Sequence, residues 1–385
     1  MGLLAGAGGC RLREAARRAP AGGMRVGVLA MTDDFQLAWH VGDDWPEWGS
    51  APRKPLVQFD MAHKGEWLES VIGPDVVTGK PMVYQVLRCE LCIGIHVWPL
   101  PDPAALAKFY AEQFYQVEKP DYVARYQADR PWWEQCVHGP ILTHCRTLLP
   151  LDALWDGIRF LDIGAGPGIA LDCAQRLDWQ TWGIEPHKGL CEALRQRGHS
   201  MHEGPLETLP SGPLLFPFDD HARVHVLMAY EVLEHQPCPE DFLLRCYDLL
   251  EPGGLLICVV PNDYSPIQLA AQKKLSLTSY WLAPSQHLFY WTPKTLQLCV
   301  RRAGFQILDM RGTFPLDKFL LEEGRNYIGD DAMGRRCHTF RMQDELYAVE
   351  HGQWAQREQE YRHNLTQRVG REIVCLARKR PGAAL

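Results

Sequence analysis

Between residues 158 and 168 an apolar run leads into Leu161-Asp162-Ile163-Gly164-Ala165-Gly166-Pro167-Gly168 and then into a helical pattern. No other stretch restricts the fold as strongly as this joint. Its glycines let the backbone approach a ligand closely and leave helix N-terminal N–H groups facing it. Such a turn belongs at the carboxyl end of a strand in an open α/β sheet, where these sheets bind ligands. The alternation continues downstream. Strands are expected at 158–163, 182–185, near 201, and at 224–229, 255–260, 305–310 and 371–377. Helices are expected at 168–177, 188–197, 239–250 and 293–302, with Pro252-Gly253-Gly254 and Gly304 as stop signals. The fold class is α/β: a parallel sheet with helices on both faces.

Glu185 ends the second strand in Gly183-Ile184-Glu185-Pro186. An acid there can accept both hydroxyls of a ribose, so turn and acid together point to a nucleoside-containing cofactor. A dinucleotide site takes G-x-G-x-x-G/A. Counted from Gly164, the third small residue should fall on 169, which is Ile169, and the third glycine comes one position early, at Gly168. Asp162 would repel a pyrophosphate and suits an ammonium or a sulfonium. S-adenosylmethionine carries both cations and no phosphate, so the pattern reads as S-adenosylmethionine rather than NAD.

Four stretches in order resemble class I S-adenosylmethionine-dependent methyltransferases: Leu161 to Gly168, Gly183 to Pro186, Tyr230-Glu231-Val232-Leu233-Glu234-His235, and Leu249-Leu250-Glu251-Pro252-Gly253-Gly254. The resemblance covers 158–310 and the strand near 371–377, and implies a Rossmann-like seven-stranded sheet. It places Gly164, Ala165, Gly166 and Gly168 under the methionine part of the cofactor and Asp162 near its ammonium. Glu185 would hold the ribose, and Leu206 in Gly204-Pro205-Leu206-Glu207 would line the adenine pocket. The family often has an Asp there, from which Pro205-Leu206 departs. Tyr230 and Glu231 would flank the transferring methyl. The Glu231, Glu234, His235 trio also resembles a segment of ubiquinone-pathway O-methyltransferases, where such residues can hold a divalent metal; no metal is expected here.

Methyl transfer displaces a good leaving group in line, so the protein mainly positions the acceptor. A hydroxyl acceptor also needs a base, and histidine titrates near neutrality. His287, in Gln286-His287-Leu288-Phe289-Tyr290-Trp291-Thr292, follows the fifth strand and precedes a capped helix, and it is the expected base. Tyr230 and His235 are the other catalytic candidates, although His235 also fits a packing role at a helix start. The expected reaction is methylation of a hydroxyl on a small-molecule or glycan-linked acceptor. Carbon or nitrogen methylation of a metabolite is the alternative within enzymes. A catalytically silent cofactor-binding scaffold is the alternative outside them, and the intact glycine turn and Glu185 speak against it.

Lys+Arg total 40 against Asp+Glu 47, a net charge of -7. That balance, and the lack of an Asp/Asn-Pro-Pro-Tyr string after the fourth strand, speak against a nucleic-acid partner. The 13 cysteines are odd in number and several sit in apolar contexts, as in Ile257-Cys258-Val259, which suits free thiols in a reducing, cytoplasmic setting. No apolar stretch approaches the ~18 residues of a membrane span.

The domain plan is an Arg-rich, disordered extension at 1–31, a small region at 32–101, a helical lid or connector at 102–157, and a methyltransferase domain at 158–380 with a helical insertion at 316–368. Within the small region, Cys89-x-x-Cys92 with His96 nearby looks like half a zinc knuckle. A closed site needs four ligands, and no second C-x-x-C precedes it, so the knuckle reads as degenerate. With Pro99-Leu100-Pro101 and the Phe109-Tyr110 and Phe114-Tyr115 pairs that follow, this segment is similar to one in bacterial methyltransferases of polysaccharide or sugar precursors. The aromatic segment from Lys119 to Trp133 fits equally a lid over an acceptor and an amphipathic helix packed on the sheet.

Overall fold

The structure, a computed structural model, describes residues 56–58, 63–92, 94–149, 157–209 and 223–380. The expected extension at 1–31 lies outside the described residues.

Two sheets organise the chain. The first begins with β1 (Leu56–Gln58), β2 (Lys64–Pro74), β3 (Pro81–Cys89) and β4 (Gly94–Trp98), paired antiparallel in that order. The β2–β3 turn is shaped locally: Asp75 accepts from the Thr78 N–H and hydroxyl, both at 2.7 Å, and Gly79 takes the left-handed φ of +68° that closes the hairpin. The second sheet collects β5 (Arg159–Ile163), β6 (Gln180–Glu185), β7 (Ser200–Glu203), β8 (Val224–Tyr230) and β9 (Leu250–Pro261). After β9 the chain returns to the first sheet for a two-residue strand, β10 (Phe289–Tyr290), which pairs with β4. It then completes the second sheet with β11 (Phe305–Gly312) and β12 (Glu372–Lys379).

The second sheet has seven strands in the order β11-β12-β9-β8-β5-β6-β7. Its strands alternate sides as period-two geometry requires: Phe160 enters one apolar core, while Leu161 and Ile163 enter the other. The expectation of a wholly parallel sheet needs one correction. β12 runs antiparallel to both neighbours, β9 and β11. The apolar pattern of a strand buried on both faces is the same in either direction, so it carries no sign. β9 also starts earlier than expected, at Leu250, with 251–254 bulged out between the Val224 and Val226 pairings and Gly253 at φ +83°.

The helical lid or connector expected at 102–157 opens with the helix Pro103–Glu112, capped by Asp102, which accepts from the N–H groups of Ala104 and Ala105 at 3.0 Å. A single π-helical turn, Phe114–Glu118, extends it. The region 121–149 breaks into Tyr122–Ala128, Arg130–Trp132, a π-helical turn Trp133–His138 and Gly139–Leu148. Thr292 caps the helix Pro293–Arg302 with Thr295 in a capping box. A helix not anticipated, Pro266–Leu275, starts with the same device in Ser265 and Gln268. Between β11 and β12 stand the 3₁₀ turn Leu316–Leu321 and the helices Asp331–Glu350 and Trp354–Thr366. No helix among the described residues is long and apolar enough to cross a membrane.

Candidate active site

A cavity of about 1110 Å³ opens at the carboxyl ends of β5, β6 and β8. Its floor is the glycine turn, where Gly164, Gly166 and Gly168 hold φ of +72°, +49° and +77°. The three glycines serve different ends. A Cβ on Gly164 would stand 2.7 Å from Val232 Cγ2, and one on Gly168 2.1 Å from Leu194 Cδ2, so both are glycines of close packing. A Cβ on Gly166 would meet nothing nearer than the Tyr115 hydroxyl at 3.6 Å, so its open side faces the cavity.

Glu185 is buried at the end of β6. One carboxylate oxygen accepts from the Gly166 N–H and the other from the His187 N–H, both at 2.9 Å. Burial pushes its carboxyl up to about 7 despite these bonds. Burial, and then the nearby Glu185, push Asp162 up to about 8. Two carboxyls that cannot comfortably ionise together thus line one end of the cavity, an environment that a cationic ligand relieves. Ala165 and Leu206 line the same end.

Another wall comes from the helices before the second sheet; of these residues, those from Lys119 to Trp133 fall in the segment read from sequence as either a lid or a packed helix, whereas Tyr110 and Tyr115 were not placed in the site. Tyr115 leans on Glu185 and helps to hold its carboxylate. Tyr122 stacks on Tyr126 at 4.5 Å between ring centroids, and Tyr126 on Trp133 at 4.4 Å. The spacing of Tyr110 with Phe114 and of Tyr122 with Tyr126, four residues apart, was the available signal, because it sets a row of rings along one helical face.

The end of β8, the turn after it and the loop before β10 add Tyr230, Glu231, Glu234, His235 and His287 to the lining. Tyr230 packs edge-on to Trp133 and His138, at 5.7 and 5.4 Å. Glu231 takes a left-handed φ of +52°, uncommon for a residue with a side chain, and burial followed by Glu372 raises its carboxyl to about 7. Glu234 is 0% exposed and neither carboxylate oxygen has a hydrogen-bond partner; burial drives its carboxyl well above the usual range. His235 sits on a 3₁₀ turn with Nδ1 2.7 Å from the Gln286 carbonyl and 2.8 Å from the Tyr110 hydroxyl. The carbonyl fixes the proton on Nδ1 and leaves Nε2 as the lone pair. Burial holds His235 down to about 4, and His287 lower than its ordinary value by burial and by the neighbouring His235. The His235 and His287 rings are 5.0 Å apart, and His287 Nδ1 has no partner.

The donor atoms of Glu234, His235 and His287 lie within 4.8 Å of one another. This differs from the trio anticipated from sequence: His287 stands in it, and Glu231 does not. A local string cannot show that a loop 52 residues after His235 folds back onto it. The Cys89–Cys92 knuckle, expected to be incomplete, also has imidazoles beside it, from His63 and His96.

Residues 143–309 match the protein family described as a methyltransferase domain. The chain is similar to the ubiquinone biosynthesis O-methyltransferase of Maricaulis maris, 26% identical over 161 residues, which span 40% of this chain and 61% of that protein. It is also similar to the enzyme of that name from a Bradyrhizobium species, 32% identical over 109 residues, 28% of this chain and 41% of that one. The match thus spans roughly two to three fifths of these relatives' length. Among solved structures, an S-adenosylmethionine-dependent methyltransferase from Thermotoga maritima superposes with a TM-score of 0.40 at 17% identity, covering 71% of this chain and 100% of that one.

Proposed function

We propose a function from one premise: the chain carries a methyltransferase domain of the class I kind, which takes S-adenosylmethionine as methyl donor. The protein methylates a hydroxyl of a small-molecule or glycan-linked acceptor held in the cavity beside His235 and His287. The observation that carries this reading is the pair of half-buried imidazoles, His235 and His287, gathered beside the buried Glu234 carboxyl, whose oxygens have no hydrogen-bond partner. Relatives named as O-methyltransferases support oxygen as the methylated atom.

Bound S-adenosylmethionine supplies a methyl group on a sulfonium, already activated for displacement. The residues present fit it. Asp162 offers a buried carboxyl to its ammonium, Glu185 keeps lone pairs for ribose hydroxyls, and Leu206 gives an apolar contact for adenine. Tyr230 and Glu231, at the end of β8 and just after it, line the same cavity.

His287 takes the proton of the acceptor hydroxyl on Nδ1. The imidazolium so formed stands beside the Glu234 carboxyl, which keeps its own proton and offers a carbonyl oxygen to the charge. His235, anchored through Nδ1–H, presents Nε2 to orient the hydroxyl. One observation favours a second reading: two bare carboxylate oxygens with two imidazoles also suit a divalent cation. Turnover that survives dialysis against a chelator would side with proton transfer, and turnover lost and restored by magnesium with the cation.

The test is release of S-adenosylhomocysteine when the protein is incubated with S-adenosylmethionine and fractionated cell extract. His287→Ala is expected to lower the active fraction's rate by roughly 10²–10⁴-fold, with calorimetric affinity for S-adenosylhomocysteine unchanged. A wild-type rate in that variant removes His287 from the role. Binding with no turnover in any fraction leaves a silent scaffold.

A further inference from the structure

Four donor side chains meet in the small sheet, away from the cavity. His63 immediately precedes β2, Cys89 closes β3, Cys92 lies in the β3–β4 turn and His96 is in β4. All their ligand atoms lie within 4.8 Å of one another. His63 Nδ1 is 3.3 Å from His96 Nε2 and 3.6 Å from Cys92 Sγ. Bonds of ~2.0–2.1 Å from zinc to nitrogen and ~2.3 Å to sulfur put the edges of a coordination tetrahedron at about 3.3 Å between nitrogens and about 3.6 Å between nitrogen and sulfur. The observed separations are those edges.

The surroundings agree. His96 Nδ1 lies 2.8 Å from the Val97 carbonyl, which requires the proton on Nδ1 and aims the Nε2 lone pair at the cluster. This is the usual outer support of a metal-bound histidine. The Cys92 N–H donates to Cys89 Sγ at 3.4 Å. His63, Cys89 and His96 are buried, with the Trp98 ring 4.7 Å from His63 and the Phe289 ring 5.1 Å from His96.

We propose that His63, Cys89, Cys92 and His96 bind one zinc ion as a closed structural site. With four protein ligands the ion has no open position for substrate, so it fastens rather than reacts. It ties the start of β2 to the end of β3 and to β4. β4 in turn holds β10: His96 is opposite Phe289, and the Val97 N–H donates to the Leu288 carbonyl at 3.0 Å. The Leu288 N–H donates to the Glu234 carbonyl at 2.7 Å. The ion therefore steadies, from outside, the strand that carries His287 to the cavity.

Metal analysis of the full chain, purified without chelator, is expected to give about one zinc per chain. Cys92→Ser and His63→Ala should lose it, whereas His63→Cys, which keeps four donors, should retain it. Glu234→Gln, in the other donor cluster, should leave the zinc content unchanged. Cobalt-substituted protein should show a thiolate-to-metal charge-transfer band that Cys92→Ser lacks. Should the depleted variants fail to fold, the wild-type protein still decides. Zinc released to a chromophoric chelator must track the loss of amide protection in 64–98 and 288–290, while S-adenosylhomocysteine still binds. Three results overturn the proposal: wild-type protein that neither contains nor takes up zinc or cobalt, a Cys89–Cys92 disulfide in place of the metal, or zinc that survives Cys92→Ser and leaves in Glu234→Gln.

Discussion

Asp162 and Glu185 show how single residues set the behaviour of the cofactor end. Both are buried, and burial pushes their carboxyls up to about 8 and about 7. The sign follows from proton counting. Each group binds more protons folded than unfolded between its ordinary carboxylate pKa and the raised value, so the stability it contributes is full below the ordinary value and is lost as pH rises through the raised one. A ligand that needs the ionised forms releases those protons on binding. Affinity for S-adenosylhomocysteine is therefore expected to rise from pH 6 to pH 8 by about tenfold or more, the scale of one pKa unit. Calorimetry in buffers of different ionisation enthalpy should register the released protons, and Glu185→Gln should flatten the profile. A pH-independent affinity in the wild-type protein would show that neither carboxyl gates the site. The positions of both residues were legible in the sequence because they are set locally, one inside the strand that enters the turn and one at the next strand end. His63 was not, because its partners at 89, 92 and 96 are brought to it only by the pairing of β2 with β3. Glu234 was seen as part of a string, but its burial without a partner is a property of the packed chain.

At the scale of the element, the glycine turn separates binding from stability. Gly168→Ala would drive a methyl group into Leu194 and the Arg197 guanidinium, 2.1 and 2.5 Å away. Gly166→Ala makes only ordinary contact, with the Tyr115 hydroxyl at 3.6 Å, and carries the cost of a left-handed φ, about 1–2 kcal/mol. Gly168→Ala is thus expected to lower the urea midpoint well beyond Gly166→Ala, whereas Gly166→Ala should lose most S-adenosylhomocysteine affinity while still folding. Equal midpoints, or unimpaired binding by Gly166→Ala, would contradict the division of roles. The elements themselves were readable where a cap or a stop marks an end, as at Thr292 and Gly304. Pro266–Leu275 carried an equally good signal in Ser265 and Gln268. The direction of β12 had no such mark, because direction depends on which neighbours a strand meets.

For the whole molecule, one buried ionic group fastens three distant parts. Glu345 accepts from Trp132 Nε1 at 2.7 Å, from Arg341 at 3.3 Å and from the Tyr361 hydroxyl. Arg341 reaches Glu372 on β12 and lies over the Trp132 ring, 4.8 Å from its centroid. The helices before the sheet, the insertion and the last strand are joined here. Removing one partner of a buried pair strands the other, at a cost of about 3–5 kcal/mol. Glu345→Ala should lose stability on that scale in urea unfolding. A loss under about 1 kcal/mol would place these groups among ordinary surface pairs. None of this network was visible in sequence, since Trp132 and Glu345 are 213 positions apart.

β12 comes last in chain order yet lies between β9 and β11, inside the sheet. A ribosome therefore delivers both flanks of this slot before the strand that fills it. At ~5–20 residues per second, the 60 positions from Gly312 to Glu372 take roughly 3–12 s to make. During that interval β9 and β11 each present an unpaired edge to other nascent chains. A premature stop anywhere in the insertion would make the exposure permanent, so such a nonsense product is a seed for aggregates rather than a shortened enzyme.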